Sequence, residues 1–264
     1  MIRQNLHCHT TFDDGADSPE AMVLAAESAG LRSIGVSAHA FIPGEEDWCI
    51  HPENEPVFAE EMHRLRDKYA GRIEVWCGLE YDIIGPRNFA PYDYIIASCH
   101  IADGLSFDNT MEEAQRLVEH FGGGQKAAQV YYERVASIAD IPEADIVGHF
   151  DLLTKYNEKL PLYDTSTAAY RDAAYAAMEK LNNAGKIFEI NSGAIFRGYR
   201  SEPYPAAELL RHLHAIGGRI CISSDAHCTA AMVCAFDRCE ALARDCGFTE
   251  LWEFNGNGFE PAAF

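Results

Sequence analysis

Short apolar runs of strand length alternate with helical patterns along this chain, and that alternation restricts the fold more than any other feature. The runs fall at residues 4–9, 33–39, 73–80, 92–100, 145–149, 186–191 and 218–225, with a further candidate at 251–255. Helix punctuation sits between them. Ser18 is placed to cap a helix, Pro19 suits its first position, and Gly30 can close it in the left-handed conformation. Two more helices are expected at 165–181, before Gly185, and at 205–216, before Gly217. The triplet Gly122-Gly123-Gly124 reads as the joint between two consecutive helices. Repeated strand–helix units build a parallel sheet. Seven of them favour a closed barrel over an open sheet and give one domain spanning 1–264.

Composition narrows the partners. Asp and Glu outnumber Lys and Arg by 41 to 21, a net charge of −20 over 264 residues. Nonspecific binding to nucleic acid or to anionic lipid needs a positive patch, so neither is expected. An anionic substrate stays open, because bound divalent metal inverts the local charge. No window approaches the ~20 apolar residues of a membrane span, and MIRQNLHCHT lacks the apolar stretch of a signal peptide. The nine cysteines include no CxxC pair, and several lie in apolar runs, as reduced buried thiols do. A cytoplasmic protein is therefore expected.

Histidine, aspartate and glutamate recur where the strands end. The first run ends in His7-Cys8-His9, the second in His39, the third in Glu80, the fourth in His100, the fifth in His149 and the seventh in Asp225, with His227 two residues on. Asp14 follows the first run. In a parallel α/β barrel all these ends meet on one face, where active sites form. Strand side chains alternate, so His7 and His9 point to one side and can share a metal. Mixed imidazole and carboxylate donors suit a hydrolytic metal rather than Ca or Mg. His51, His63, His120, His212 and His214 sit among polar neighbours and read as solvated surface.

The ordered set HCHTTFDDG, SAHAF, GLE, SCH, GHFD and SSDAH resembles the motifs of the PHP (polymerase and histidinol phosphatase) family of metal-dependent phosphoesterases. It runs from residue 5 to about residue 230. The stretch FEINSGAIFRGYRSEPYP is most similar to the histidinol-phosphatase branch. The resemblance implies a distorted (β/α)7 TIM-like barrel holding three divalent metals, zinc, iron or manganese. It implies that His7, His9, Glu80 and Asp225 hold the first, that Asp14, His39 and His227 hold another, and that Glu80, as a bridge, holds the third with His100 and His149. Asp14 stands where some members have His, and Ala38 where the family often has Asp.

The implied activity is hydrolysis of a small phosphomonoester, histidinol phosphate first among them, by a hydroxide bridging two metals. Glu80, Asp225 and His39 are the ligands nearest that chemistry. Metals set ~3.5–4 Å apart also clamp phosphoryl oxygens. Further positive charge is expected from Arg197, and less from Arg200 or Lys155, which follow the sixth and fifth strands. A nucleotide, sugar phosphate or phosphodiester remains an alternative substrate, and a non-catalytic metal-binding regulator an alternative role. A cysteine phosphatase lacks its CxxxxxR loop, a serine hydrolase its GxSxG, and a nucleotide-binding domain its phosphate loop. An amidohydrolase-type barrel would carry a Lys on a central strand where this chain has Glu80.

Overall fold

The computed structural model describes residues 2–263. Its strands are β1 (Gln4–Asn5), β2 (Ser33–His39), β3 (Glu74–Asp82), β4 (Tyr94–Ser98), β5 (Ile101–Ala102), β6 (Leu105–Ser106), β7 (Ile146–Val147), β8 (Ile187–Asn191), β9 (Arg219–Ser223), β10 (Glu250–Phe254) and β11 (Phe259–Ala263). Seven of them form one sheet in the order β1-β2-β3-β4-β7-β8-β9, every neighbouring pair parallel. Beyond β1, a parallel bridge joins Cys8 to Ala226 at the far edge. His9 N–H donates to the Ala226 carbonyl at 2.8 Å there. That bridge closes the sheet into the distorted (β/α)7 barrel. The short pairing of β1 and β7, two residues each, is where the distortion lies.

The helices on the outside are α1 (Pro19–Ser28), α2 (Glu55–Lys68), α3 (Met111–His120), α4 (Gly124–Ala136), α5 (Ala168–Asn183), α6 (Gly193–Phe196), α7 (Ala207–Ala215) and α8 (Phe236–Asp245). Local sequence explains their ends. Ser18 caps α1 by accepting from Ala21 N–H at 3.3 Å, and Gly30 follows it with φ +80°. Thr110 and Thr167 cap α3 and α5 in the same way. The glycine triplet does join two helices, α3 and α4.

The core has two main compartments, besides a small cluster of Ile42, Cys49 and Ile101. The larger lies between the barrel wall and the helices. The smaller fills the barrel itself, with Leu6, Tyr94, Ile96, Ile146, Ile187 and Cys221 from different strands. Tyr94 occupies space left by two glycines: a Cβ on Gly35 would lie 2.1 Å from its hydroxyl oxygen, and one on Gly78 2.2 Å from its Cζ. The candidate strand at 251–255 is β10, but it stands outside the barrel. It pairs antiparallel with β11 as a hairpin. The Gln4 side-chain amide bonds both the N–H and the carbonyl of Phe254. Phe254 thereby packs against the barrel interior at the end where the strands start. With that end stoppered by apolar contact, the opposite end is left for polar side chains.

Candidate metal centre

The seven parallel strands carry their C-terminal ends to one face, and the predicted donors meet there. Glu80 lies at the middle, 1% exposed. Its Oε2 is 3.0 Å from His7 Nε2, 3.0 Å from His39 Nδ1 and 3.5 Å from His9 Nε2. Its Oε1 is 2.8 Å from His149 Nε2 and 3.4 Å from His100 Nε2. Asp225 Oδ1 is 3.4 Å from His9 Nε2 and 3.8 Å from His7 Nε2. Asp14 Oδ1 is 3.2 Å from His227 Nε2 and 3.8 Å from His39 Nε2. Donor atoms from these nine residues fall into overlapping sets, each within 4.8 Å: His9, Asp14, His39 and His227; His7, His149 and Asp225; His7, His9 and Glu80; Glu80, His100 and His149. His9 thus reaches the Asp14 set as well as the one expected for it.

The residues fit divalent metal. His7 Nε2, His9 Nε2 and Glu80 Oε2 are buried and have no hydrogen-bond partner, although they face one another. An unpartnered buried polar atom costs about 1–3 kcal/mol, so several aimed at one point need a shared partner. The ring nitrogens turned away are already engaged. His7 Nδ1 is 2.7 Å from Glu189 Oε1, His9 Nδ1 2.7 Å from Asp13 Oδ2, and His100 Nδ1 3.2 Å from Asp82 Oδ2. A carboxylate accepting from Nδ1–H leaves Nε2 with its lone pair free, the tautomer a metal requires.

Electrostatics favour the same use. Burial opposes ionisation of Glu80, but the His7, His39 and His100 imidazoles outweigh it and hold the carboxyl well below the usual range. Burial also opposes ionisation of Asp225, and Arg197 and His7 outweigh it. Burial works against charge on His9, yet Asp13 and Asp225 raise it to about 10. A site that draws protons this strongly draws cations, and metal binding displaces those protons. Asp225 itself has φ +51°, an uncommon left-handed backbone for a residue with a side chain.

The centre opens into a cavity of about 330 Å³. Arg197 lines it, with Nη2 2.9 Å from Asp225 Oδ2 and Nη1 3.2 Å from His227 Nδ1. Its Nε is buried without a partner. A Cβ on Gly193 would come within 2.7 Å of that guanidinium and 2.8 Å of Asp225 Oδ2, so the bare glycine makes room for the pair. Lys155 also lines the cavity, but its Nζ bonds the Asp108 carbonyl at 2.7 Å and the Asp108 carboxylate at 3.1 Å. Arg200 does not reach the cavity. Gly198, at φ +70°, turns the loop between the two arginines. Arg200 lies over the Tyr204 ring, 4.4 Å from its centroid, bonds Thr154 and pairs with Asp151 in a separate cavity. Of the histidines read as surface, His51, His63, His120 and His214 are exposed. His212 is half-buried, stacked on Tyr175 at 3.8 Å and paired with Glu179.

Asp13, Asp82 and Glu189 are the residues sequence reasoning missed. Asp82 had a signal: it follows Glu80 by two positions on one strand, hence on the same side. Glu189 had one too, as a lone charge inside the apolar stretch IFEIN. All nine cysteines are free. Among the described residues no helix is long and apolar enough to cross a membrane.

Comparison with known proteins finds relatives over most of the chain. The chain is 29% identical over 234 residues to the Deinococcus radiodurans protein named "Probable histidinol-phosphatase", covering 84% of this chain and 85% of that one. It is 26% identical to the Lactococcus lactis histidinol-phosphatase over 97% of this chain and 96% of that one. The crystal structure of the histidinol phosphate phosphatase of Lactococcus lactis, complexed with zinc, L-histidinol and phosphate, superposes with a TM-score of 0.77 at 22% identity, covering 98% of each chain. The PHP domain family model matches residues 5–193, most of the length, and the chain therefore belongs to the PHP domain family.

Proposed function

We propose that this chain is a metal-dependent phosphatase that hydrolyses L-histidinol phosphate to L-histidinol and phosphate. The observation that carries the reading is the set of orphaned, mutually facing His and Glu atoms at the barrel mouth. His7, His9, Glu80 and Asp225 hold one metal, Asp14, His39 and His227 a second, and Glu80, His100 and His149 a third. Zinc, iron and manganese all accept these donors. Bound metals would lower the pKa of water and neutralise phosphoryl oxygens.

The chain's own groups do the rest. Arg197 lines the cavity while its Nη2 holds Asp225. A phosphate seated against the metals meets this guanidinium as its counter-charge. Lys155 is largely neutralised by Asp108 and serves less well. Glu45 and Glu113 also line the cavity. Carboxylates there suit an alcohol that carries a cationic amine, which histidinol does and a sugar does not. Histidinol-phosphatases among the similar chains support the same choice.

The test is elemental analysis of protein purified without chelator. More than one divalent metal per chain is expected, rising toward one for each of the donor sets above when metal is supplied in excess. A reproducible value of zero in fully active protein would contradict the reading.

A further inference from the structure

Two buried carboxylates outside the ligand set each grip two ligand histidines from different strands. Asp13 Oδ2 is 2.7 Å from the His9 ring Nδ1 and accepts the His39 backbone N–H at 3.0 Å. Its Oδ1 accepts the Thr10 N–H at 2.8 Å. Glu189 Oε1 is 2.7 Å from the His7 ring Nδ1. Its Oε2 accepts the His149 backbone N–H at 2.9 Å and the Asn191 amide at 2.9 Å. Both side chains are fully buried. Asp82 differs. It holds His100 alone, through the ring at 3.2 Å and the backbone N–H at 2.6 Å, besides the Ile84 N–H.

With the metals partitioned as above, on which this inference rests, His9 and His7 serve the first metal, His39 the second and His149 the third. The geometry points to Asp13 and Glu189 as positioning residues that couple the metal sites, so that filling one site orders a ligand of its neighbour. Asp13 ties the first site to the second, and Glu189 ties the first to the third. Asp82 serves one site only. A metal at His7 fixes the ring, the ring fixes Glu189, and Glu189 fixes the backbone from which His149 projects.

Substituting Glu189→Gln keeps the shape and removes this double grip. With the amide oxygen toward His7, the amide NH2 meets the His149 N–H and the Asn191 NH2, donor against donor. With the oxygen turned the other way, the NH2 faces His7 Nδ1 and favours the tautomer whose Nε2 carries the proton. Either orientation disturbs two strands at once. Asp13→Asn meets the same conflict between His9 and its backbone donors.

Native mass spectrometry of stripped protein titrated with zinc tests the coupling. Wild type should pass from empty to filled with few partly loaded species. Outer-shell substitutions typically weaken metal affinity by about 10–100-fold. At zinc just sufficient to fill wild type, Glu189→Gln and Asp13→Asn should each lose two ions together, and Asp82→Asn only one. Melting of the stripped variants is measured alongside, so that a folding defect is seen as such. Asp13→Asn carries the test if Glu189→Gln does not fold. Loss of a single ion by all three variants would overturn the coupling. So would equal loss by Asp82→Asn and Glu189→Gln, since Glu80 alone would then link the sites. Failure of wild type to bind zinc, iron or manganese would instead overturn the metal assignment beneath it.

Discussion

Replacing Glu80 by Gln is expected to lower kcat/KM by more than about a hundredfold. Partners behind metal ligands typically cost about 10–100-fold, and Glu80 is proposed as a ligand itself, bridging two metals. Its two oxygens face His7, His39, His100 and His149 at 2.8–3.4 Å. Losing the charge leaves those buried imidazoles without their shared carboxylate and should weaken both proposed sites together. His39→Ala should cost less, because His39 faces only Glu80 and Asp14 among the carboxylates. Steady-state kinetics with metal analysis on both variants checks the order. Wild-type activity in Glu80→Gln, or a larger loss in His39→Ala, would contradict the bridging role.

Arg197→Ala is expected to lower kcat/KM by about 10–100-fold, the cost of one charge-assisted contact of roughly 1.5–3 kcal/mol. Metal content should hold, since Asp225 still faces His7 and His9. Arg197→Lys keeps the charge without the fork and should fall between the two. If activity falls only in proportion to lost metal, Arg197 supports Asp225 and does not bind phosphate. Lys155→Ala and Arg200→Ala bear on the same question. Arg200, held by Thr154, Asp151 and the Tyr204 ring outside the cavity, should affect kinetics less than Arg197.

The inner donors were legible in the sequence because strand ends in a parallel barrel share one face. Knowing that His39, Glu80 and His100 close their strands is nearly enough to place them together. β2 runs over the very residues expected, 33–39. β1 and β7 span only two residues each, although the backbone beyond them still bonds its neighbours, Ser37 N–H donating to the Cys8 carbonyl at 2.9 Å and Gly148 N–H to the Ala97 carbonyl at 3.0 Å. Sequence ranked Arg197 above Arg200 but could not show where either side chain goes. Both follow the sixth strand, and the turn at Gly198 sends them to different cavities. Sequence singled out Asp14 but gave Asp13 no role. The two are adjacent, yet Asp14 faces His39 and His227 while Asp13 turns behind His9. The apolar run at 251–255 foretold β10 but not its partner β11, and the position of the hairpin beneath the barrel depends on Gln4 and Phe254, 250 residues apart. Contacts at that separation leave no local pattern.

The most direct test assays stripped protein on L-histidinol phosphate and on a phosphomonoester of similar size whose alcohol carries no amine, before and after adding back zinc, iron or manganese. The account predicts no turnover without metal and recovery with it. The ester whose alcohol carries the ammonium group should have the higher kcat/KM, because Glu45 and Glu113 line the cavity beside the metal ligands. Full turnover by metal-free protein, or recovery with equal kcat/KM on both esters, would contradict it.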